Sequence, residues 1–238
     1  MPSYNKQTTI STYFVNKQLI ESIEEFFENT VSEIINLNTT ITEKLAKSIE
    51  IIIHDSHGKE SYTSIKQYKQ SMFRNDVEGV SINYKLFSSD KDIDLSIRFG
   101  SEQENSDLSI SFSGENPREK VFAIEEGFKS VCASNKTLNW ILYPKSFIRL
   151  LLILGISFCG IMALSSGVSR KESFLYGVGF WIGLICSMGF PYLKGYCSFD
   201  TVKQKQLDKW FSWLVMGLAA FILFSTVLTS VRKSILGF

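Results

Sequence analysis

The chain has 238 residues, 45% of them hydrophobic and 21% charged, with a formal charge of +1. That near-neutral total hides two unlike parts: residues 1–145 hold 16 Lys/Arg against 21 Asp/Glu, a net −5, and residues 146–238 hold 9 against 3, a net +6. An acidic first part argues against binding nucleic acid through its phosphates. The 4 cysteines, scattered and without a CxxC spacing, argue against a zinc site or a disulfide framework.

The first predicted element is an amphipathic helix from Asn16, its N-cap, to about Leu37. Leu19, Ile20, Ile23, Phe26, Phe27, Val31, Ile34 and Ile35 recur at helical spacing, and Glu21, Glu24, Glu25 and Glu28 fill the other face. From Ser48 the period changes. Ser48–His54 is β-branched and apolar, Asp55-Ser56-His57-Gly58 supplies a turn, and Glu60–Ser64 completes a predicted hairpin. A short helix is predicted over Ile65–Phe73.

Three alternating segments follow, with Val80, Ile82, Tyr84 and Leu86, then Ile93, Leu95, Ile97 and Phe99, then Leu108, Ile110 and Phe112 on one side. Strict period-two alternation implies one buried and one wet face, and the short turns imply an antiparallel meander. A second helix opens at Asn116-Pro117, with Glu119 at capping-box spacing and Val121, Ile124, Phe128 and Val131 as its apolar stripe. Residues 1–145 are therefore expected to form an α+β domain, an antiparallel sheet covered on one face by helices.

Residues 146–238 are expected to form a three-helix transmembrane bundle. The runs 150–169, 173–193 and 210–231 each continue for about 20 residues without a charge in their apolar centre, the length that crosses a bilayer core of roughly 30 Å. Tyr143, Tyr192, Tyr196, Trp210 and Trp213 flank them as interfacial anchors. Eight basic residues (Lys129, Lys136, Lys145, Arg149, Lys194, Lys203, Lys205, Lys209) face four (Arg170, Lys171, Arg232, Lys233), which predicts a cytoplasmic N-terminus and an outside C-terminus in a bacterial inner membrane. Gly179 and Gly183 form a GxxxG pair, and with Gly217 and Ala220 they predict close helix packing and a homo-oligomer.

The wet face of the meander is the candidate site for a small polar ligand or a cytosolic protein partner. It carries Ser81, Asn83 and Lys85, then Asp94, Ser96 and Arg98, then Ser109, Ser111 and Ser113. Both histidines fall in His54-Asp55-Ser56-His57, where two imidazoles and a carboxylate could ligate a metal, but the spacing lies in a predicted tight turn and no further ligand cluster is recognisable, so no metal is expected. No Walker loop, GxGxxG, GxSxG or HExxH motif is present, so neither a cofactor nor a catalytic residue is assigned.

These features predict a non-catalytic multi-pass membrane protein whose cytosolic domain senses a ligand or partner and couples it to an oligomeric bundle in the lipid bilayer. The first alternative is a membrane-perturbing or pore-forming effector, since the layout resembles the small bacterial membrane effectors of anti-phage defence systems. The second is a membrane-anchored enzyme with a dispersed active site.

Overall fold

The computed structural model describes residues 1–35, 46–88, 91–139, 143, 146–165, 169, 172–173, 176–180, 195–210, 212–213 and 216–217. Its centre is a six-stranded sheet, antiparallel at every pairing, built from β1 (Ser3–Thr9), β3 (Ala46–Asp55), β4 (Gly58–Tyr62), β5 (Val77–Phe87), β6 (Asp92–Gly100) and β7 (Asp107–Ser113). The spatial order is β1-β7-β6-β5-β3-β4. Two shorter strands, β2 (Phe14–Val15) and β8 (Ser198–Phe199), pair in parallel beside it.

The meander strands lie where their alternation puts them. Ile82, Tyr84, Leu86, Leu95, Ile97, Phe99 and Phe112 are each fully buried on the helix-covered face. Strand β1 has no such signal. SYNKQTT contains one apolar side chain, and β1 is held by its ladder to β7 and by Tyr4, Lys6 and Thr8 turned toward the helices.

The covering layer is α1 (Lys17–Glu25), a π-helical turn (Phe26–Thr30), α2 (Val31–Ile34) and α3 (Pro117–Cys132). Asn16 caps α1 through its side chain, which accepts from the Leu19 N–H at 2.8 Å. In the π turn the Val31 N–H bonds the Phe26 carbonyl, and the wider turn lets the adjacent rings of Phe26 and Phe27 both face inward. Phe26 sits over Gly127 of α3, where an added Cβ would fall 2.6 Å from the ring. Each fully buried large apolar side chain of this layer contributes roughly 1.5–3 kcal/mol.

Two local expectations need correction. Ile65–Phe73 is a single 3-10 turn, Ile65–Gln67, followed by irregular chain that bends at Ser71 and Met72. Asn116 does not cap α3 with its side chain; it adopts a left-handed conformation (φ 49°, ψ 52°), and Pro117 opens the helix.

The larger correction concerns residues 146–238. Among the described residues no helix is long and apolar enough to cross a membrane. The expected three-helix transmembrane bundle and the N-in, C-out inner-membrane placement fall with that finding. The bounds of the first expected run are corrected as well. Helix α4 (Ser146–Leu164) ends well inside the uncharged run 150–169, and Ser165 donates to the Met162 carbonyl in a tightened final turn. Ser169 already starts the next helix: its hydroxyl accepts from the Glu172 N–H at 3.4 Å, while its own N–H donates to Glu172 Oε2 at 3.2 Å, a reciprocal capping box.

A run that is continuous in composition is thus interrupted in structure. Helix α4 as a whole, 19 residues, is about 28 Å long at 1.5 Å per residue. Extending back to Ser146 brings Arg149 into the helix. Leu154, Phe158, Ile161 and Leu164 of α4 are exposed, while Gly160 receives the ring of Phe180 from the helical residues 176–180. Of the expected second run only 173 and 176–180 are described, and of the third only 210, 212–213 and 216–217. The remainder lies outside the described residues.

Residues 195–201 join the core of the sheet domain. The Tyr196, Cys197, Ser198 and Asp200 N–H groups donate to the carbonyls of Ser101, Gly100, Tyr13 and Val15. The Phe73 N–H donates to the Asp200 carbonyl, and Phe199 packs edge-on against Phe73. Tyr196, Cys197 and Phe199 are buried. Asn139 fastens this segment to the end of the domain, its amide donating to the Gly195 carbonyl and to Ser198 Oγ at 2.9 and 2.8 Å.

Candidate functional site

The nine residues named from the wet face do share one face of the sheet. Register places Ser81 opposite Arg98, Asn83 opposite Ser96 and Lys85 opposite Asp94, and then Ser96 opposite Ser109 and Asp94 opposite Ser111. Ser113 stands at the end of β7, opposite Asp92. Many of these side chains bond one another. Ser96 Oγ donates to Asn83 Oδ1 at 2.9 Å, Lys85 pairs with Asp94 at 3.3 Å, and the Asn83 amide reaches Glu50 at 3.5 Å. Ser81, the one buried member, lies 3.0 Å from His54 Nε2. Burial and the cations of Lys59 and Arg98 hold the His54 imidazole below its usual value. His57 is turned instead toward Asp76, at 3.4 Å. Two pairs within the nine, Asn83–Ser96 and Lys85–Asp94, are thus bonded to each other.

The predicted packing residues are not brought together among the described residues. Gly183 and Ala220 lie outside them. Gly179 stands 3.9 Å, from an added Cβ, to the sulfur of Cys159 on α4, and nothing approaches within 4 Å of Gly217.

A concave site lies elsewhere, on the helix side of the sheet where β1 runs past the end of α3. This cleft has a volume of about 230 Å³. Its floor is apolar: Ile10, Tyr13, Leu108 and Phe128, all buried. Its rim carries Thr8, Glu125, Lys129 and Lys136. Each wall has a local origin. Thr8 faces inward because β1 alternates, Leu108 is the first inward residue of β7, and Glu125 and Phe128 belong to the buried stripe of α3.

Glu125 is a carboxylate with a side chain only 3% exposed. Burial acts to raise its carboxyl, but the ammonium groups of Lys6 and Lys129 on either side hold it below the usual carboxylate range. Lys6 also lies over the Phe122 ring at 3.9 Å. Lys129 is raised by Glu126 and by Glu125. Burial pushes the Tyr13 phenol up to about 12, so it is neutral at physiological pH. The Lys136 side chain has no ionic partner among the described residues.

Alternation could not reveal this site, because its walls come from three separate stretches of chain. One signal was available. Glu125 interrupts the apolar face of α3, and a charge at a buried helix position demands partners.

No protein-family model matches the chain, and neither a curated protein nor a solved structure is significantly similar to it.

Proposed function

We propose that this chain is a non-catalytic sensing domain that takes a small ligand into the cleft between β1 and α3 and passes its occupancy to residues 195–201. One observation carries this reading: the same short stretch, Ile10 to Tyr13, floors the cleft and anchors that segment. The Ile10 carbonyl accepts from the Tyr196 hydroxyl at 2.7 Å, and the Tyr13 carbonyl accepts from the Ser198 N–H at 2.9 Å. A ligand that displaces Ile10 acts on the first bond, and one that displaces Tyr13 on the second. Residues 202–210, which are helical, follow directly, so the segment joins the cleft to the next element of the chain. The volume, below the roughly 300–1,000 Å³ of drug-sized sites, suits a small molecule.

The test is a permanent occupant. Thr8 is half-buried on β1 and turned into the cleft, and an aromatic side chain is well tolerated on a strand. In the full-length Thr8→Trp variant, amide hydrogen exchange at 196–199 should change several-fold while the amides of β5 and β6 keep their rates. Unchanged exchange at 196–199, with the indole shown to be buried by its fluorescence, would refute the coupling.

A further inference from the structure

We infer that the cleft ligand is a small hydrophobic monoanion, with an aromatic or branched body on the floor and a carboxylate or similar group at Lys136. This rests on the sensing reading and adds the ligand's chemical class. The first support is charge. The rim has one carboxylate, Glu125, and that group is already held by two ammonium groups, Lys6 and Lys129. Lys129 is shared with Glu126 at 3.0 Å. Lys136 remains as the cation on the rim without an ionic partner among the described residues, so an incoming anion meets an unpaired opposite charge. An incoming cation would compete with two lysines for a single carboxylate.

The second support is the floor. Tyr13 and Phe128 present rings whose centroids are 6.4 Å apart at 80°, with Leu108 and Ile10 beside them. Such a surface contributes through the area it removes from water and through edge contacts with a planar body. The floor also tolerates the anion, because Tyr13 stays protonated and places no charge against it. An apolar floor with one suitably placed charged group at the rim is the usual division of labour in a small-molecule site: area supplies affinity, and the polar group supplies orientation.

The test uses three near-isosteric probes on the full-length chain, phenylpropionate, phenylpropanol and phenylpropylammonium, with affinity read by calorimetry or ligand-observed NMR. Phenylpropionate should bind tightest, phenylpropanol roughly fivefold more weakly, and phenylpropylammonium least. That ratio is what one partly exposed ion pair of about 1 kcal/mol gives. Lys136→Gln should remove the advantage of the anion while leaving the alcohol unchanged, and added salt should do the same. Thr8→Trp should abolish binding of all three.

An ammonium that binds as well as the carboxylate would overturn the assignment of charge, as would a Lys136→Gln variant that binds phenylpropionate normally. Binding that survives Thr8→Trp would remove the cleft as the site. Failure of the sensing reading looks different: phenylpropionate then binds with the predicted preference, but exchange at 196–199 does not respond.

Discussion

The two faces of the sheet are made by alternate residues of the same strands, yet they are built on different principles. On the covered face Ile82, Tyr84, Leu95, Ile97 and Phe112 meet the helices and are lost to solvent. On the open face Asn83, Ser96, Lys85 and Asp94 are partly exposed and bond mainly within the face. Fold stability resides on the first face, because burying a large apolar side chain is worth several times a surface hydrogen bond or ion pair. The open face can therefore change with little effect on the fold. The cleft lies at the border of the covered layer, where α3 ends and the apolar floor comes within reach of solvent. A concave apolar floor and a lysine without an ionic partner among the described residues coincide there.

The largest effect should come from the covered face. Phe27 is 1% exposed and packs against Tyr84 at 5.4 Å between centroids and against Phe26 at 5.9 Å. Phe27→Ala should cost about 3–5 kcal/mol, from lost transfer energy and the cavity left behind. Chemical denaturation of the full-length chain measures it. A loss below about 1 kcal/mol would mean that the helical layer does not carry the stability assigned to it.

An intermediate effect is expected at the border. Glu125→Gln keeps the shape of the side chain but leaves Lys6 and Lys129 without their shared anion. Their side chains are 25% and 50% exposed and can turn to water, so the cost near neutral pH is about 1–2 kcal/mol, less than for a fully buried pair. The sign with pH follows from the depressed carboxyl. Its stabilisation is complete above the ordinary value of 4.5 and is lost as pH falls through the lower folded value. Wild type and variant should therefore converge in acid. His54, held below 6.5, adds a loss of stability that begins at higher pH and is common to both proteins, so the difference between the two curves isolates Glu125. Curves that stay parallel into acid would show that the carboxylate is not what the lysines hold.

What could be read from the sequence divides along the same line as the two faces. Period-two alternation located β5, β6 and β7 because each has one face buried along its whole length, and the apolar stripe located α3 for the same reason. Strand β1 carries only Tyr4 as an apolar signal, since an edge strand half under a helix can be filled by Lys6 and Thr8. Strand β8 has two residues and a partner far away in sequence, so no local pattern marks it. The cleft depends on where β1, β7 and the end of α3 meet, which no single stretch encodes. The expectation of membrane spans failed for a related reason. Absence of charge over 150–169 reports composition and does not fix where a helix begins or ends: α4 runs from Ser146 to Leu164, and Ser169 caps the next helical residues.

The smallest effect is expected on the open face, and it is the sharpest check on the comparison. Ser109 and Ser111 sit two residues apart on β7, both half-exposed, opposite Ser96 and Asp94. Replacing both with threonine retains the hydroxyls, adds two methyl groups and favours the strand conformation. If the face is free, the double variant should change stability by no more than about 0.5 kcal/mol, with a slight gain the more natural sign. Added bulk of the same kind on the covered face would cost about 1–3 kcal/mol, because nothing there can move aside. The measurement is the denaturation midpoint at constant slope, so that a change in the unfolded chain is not mistaken for a change in packing. A loss above 1 kcal/mol would show that the open face is under cover in the folded protein. It would then be a second packed surface, and the contrast on which the cleft was preferred would be gone.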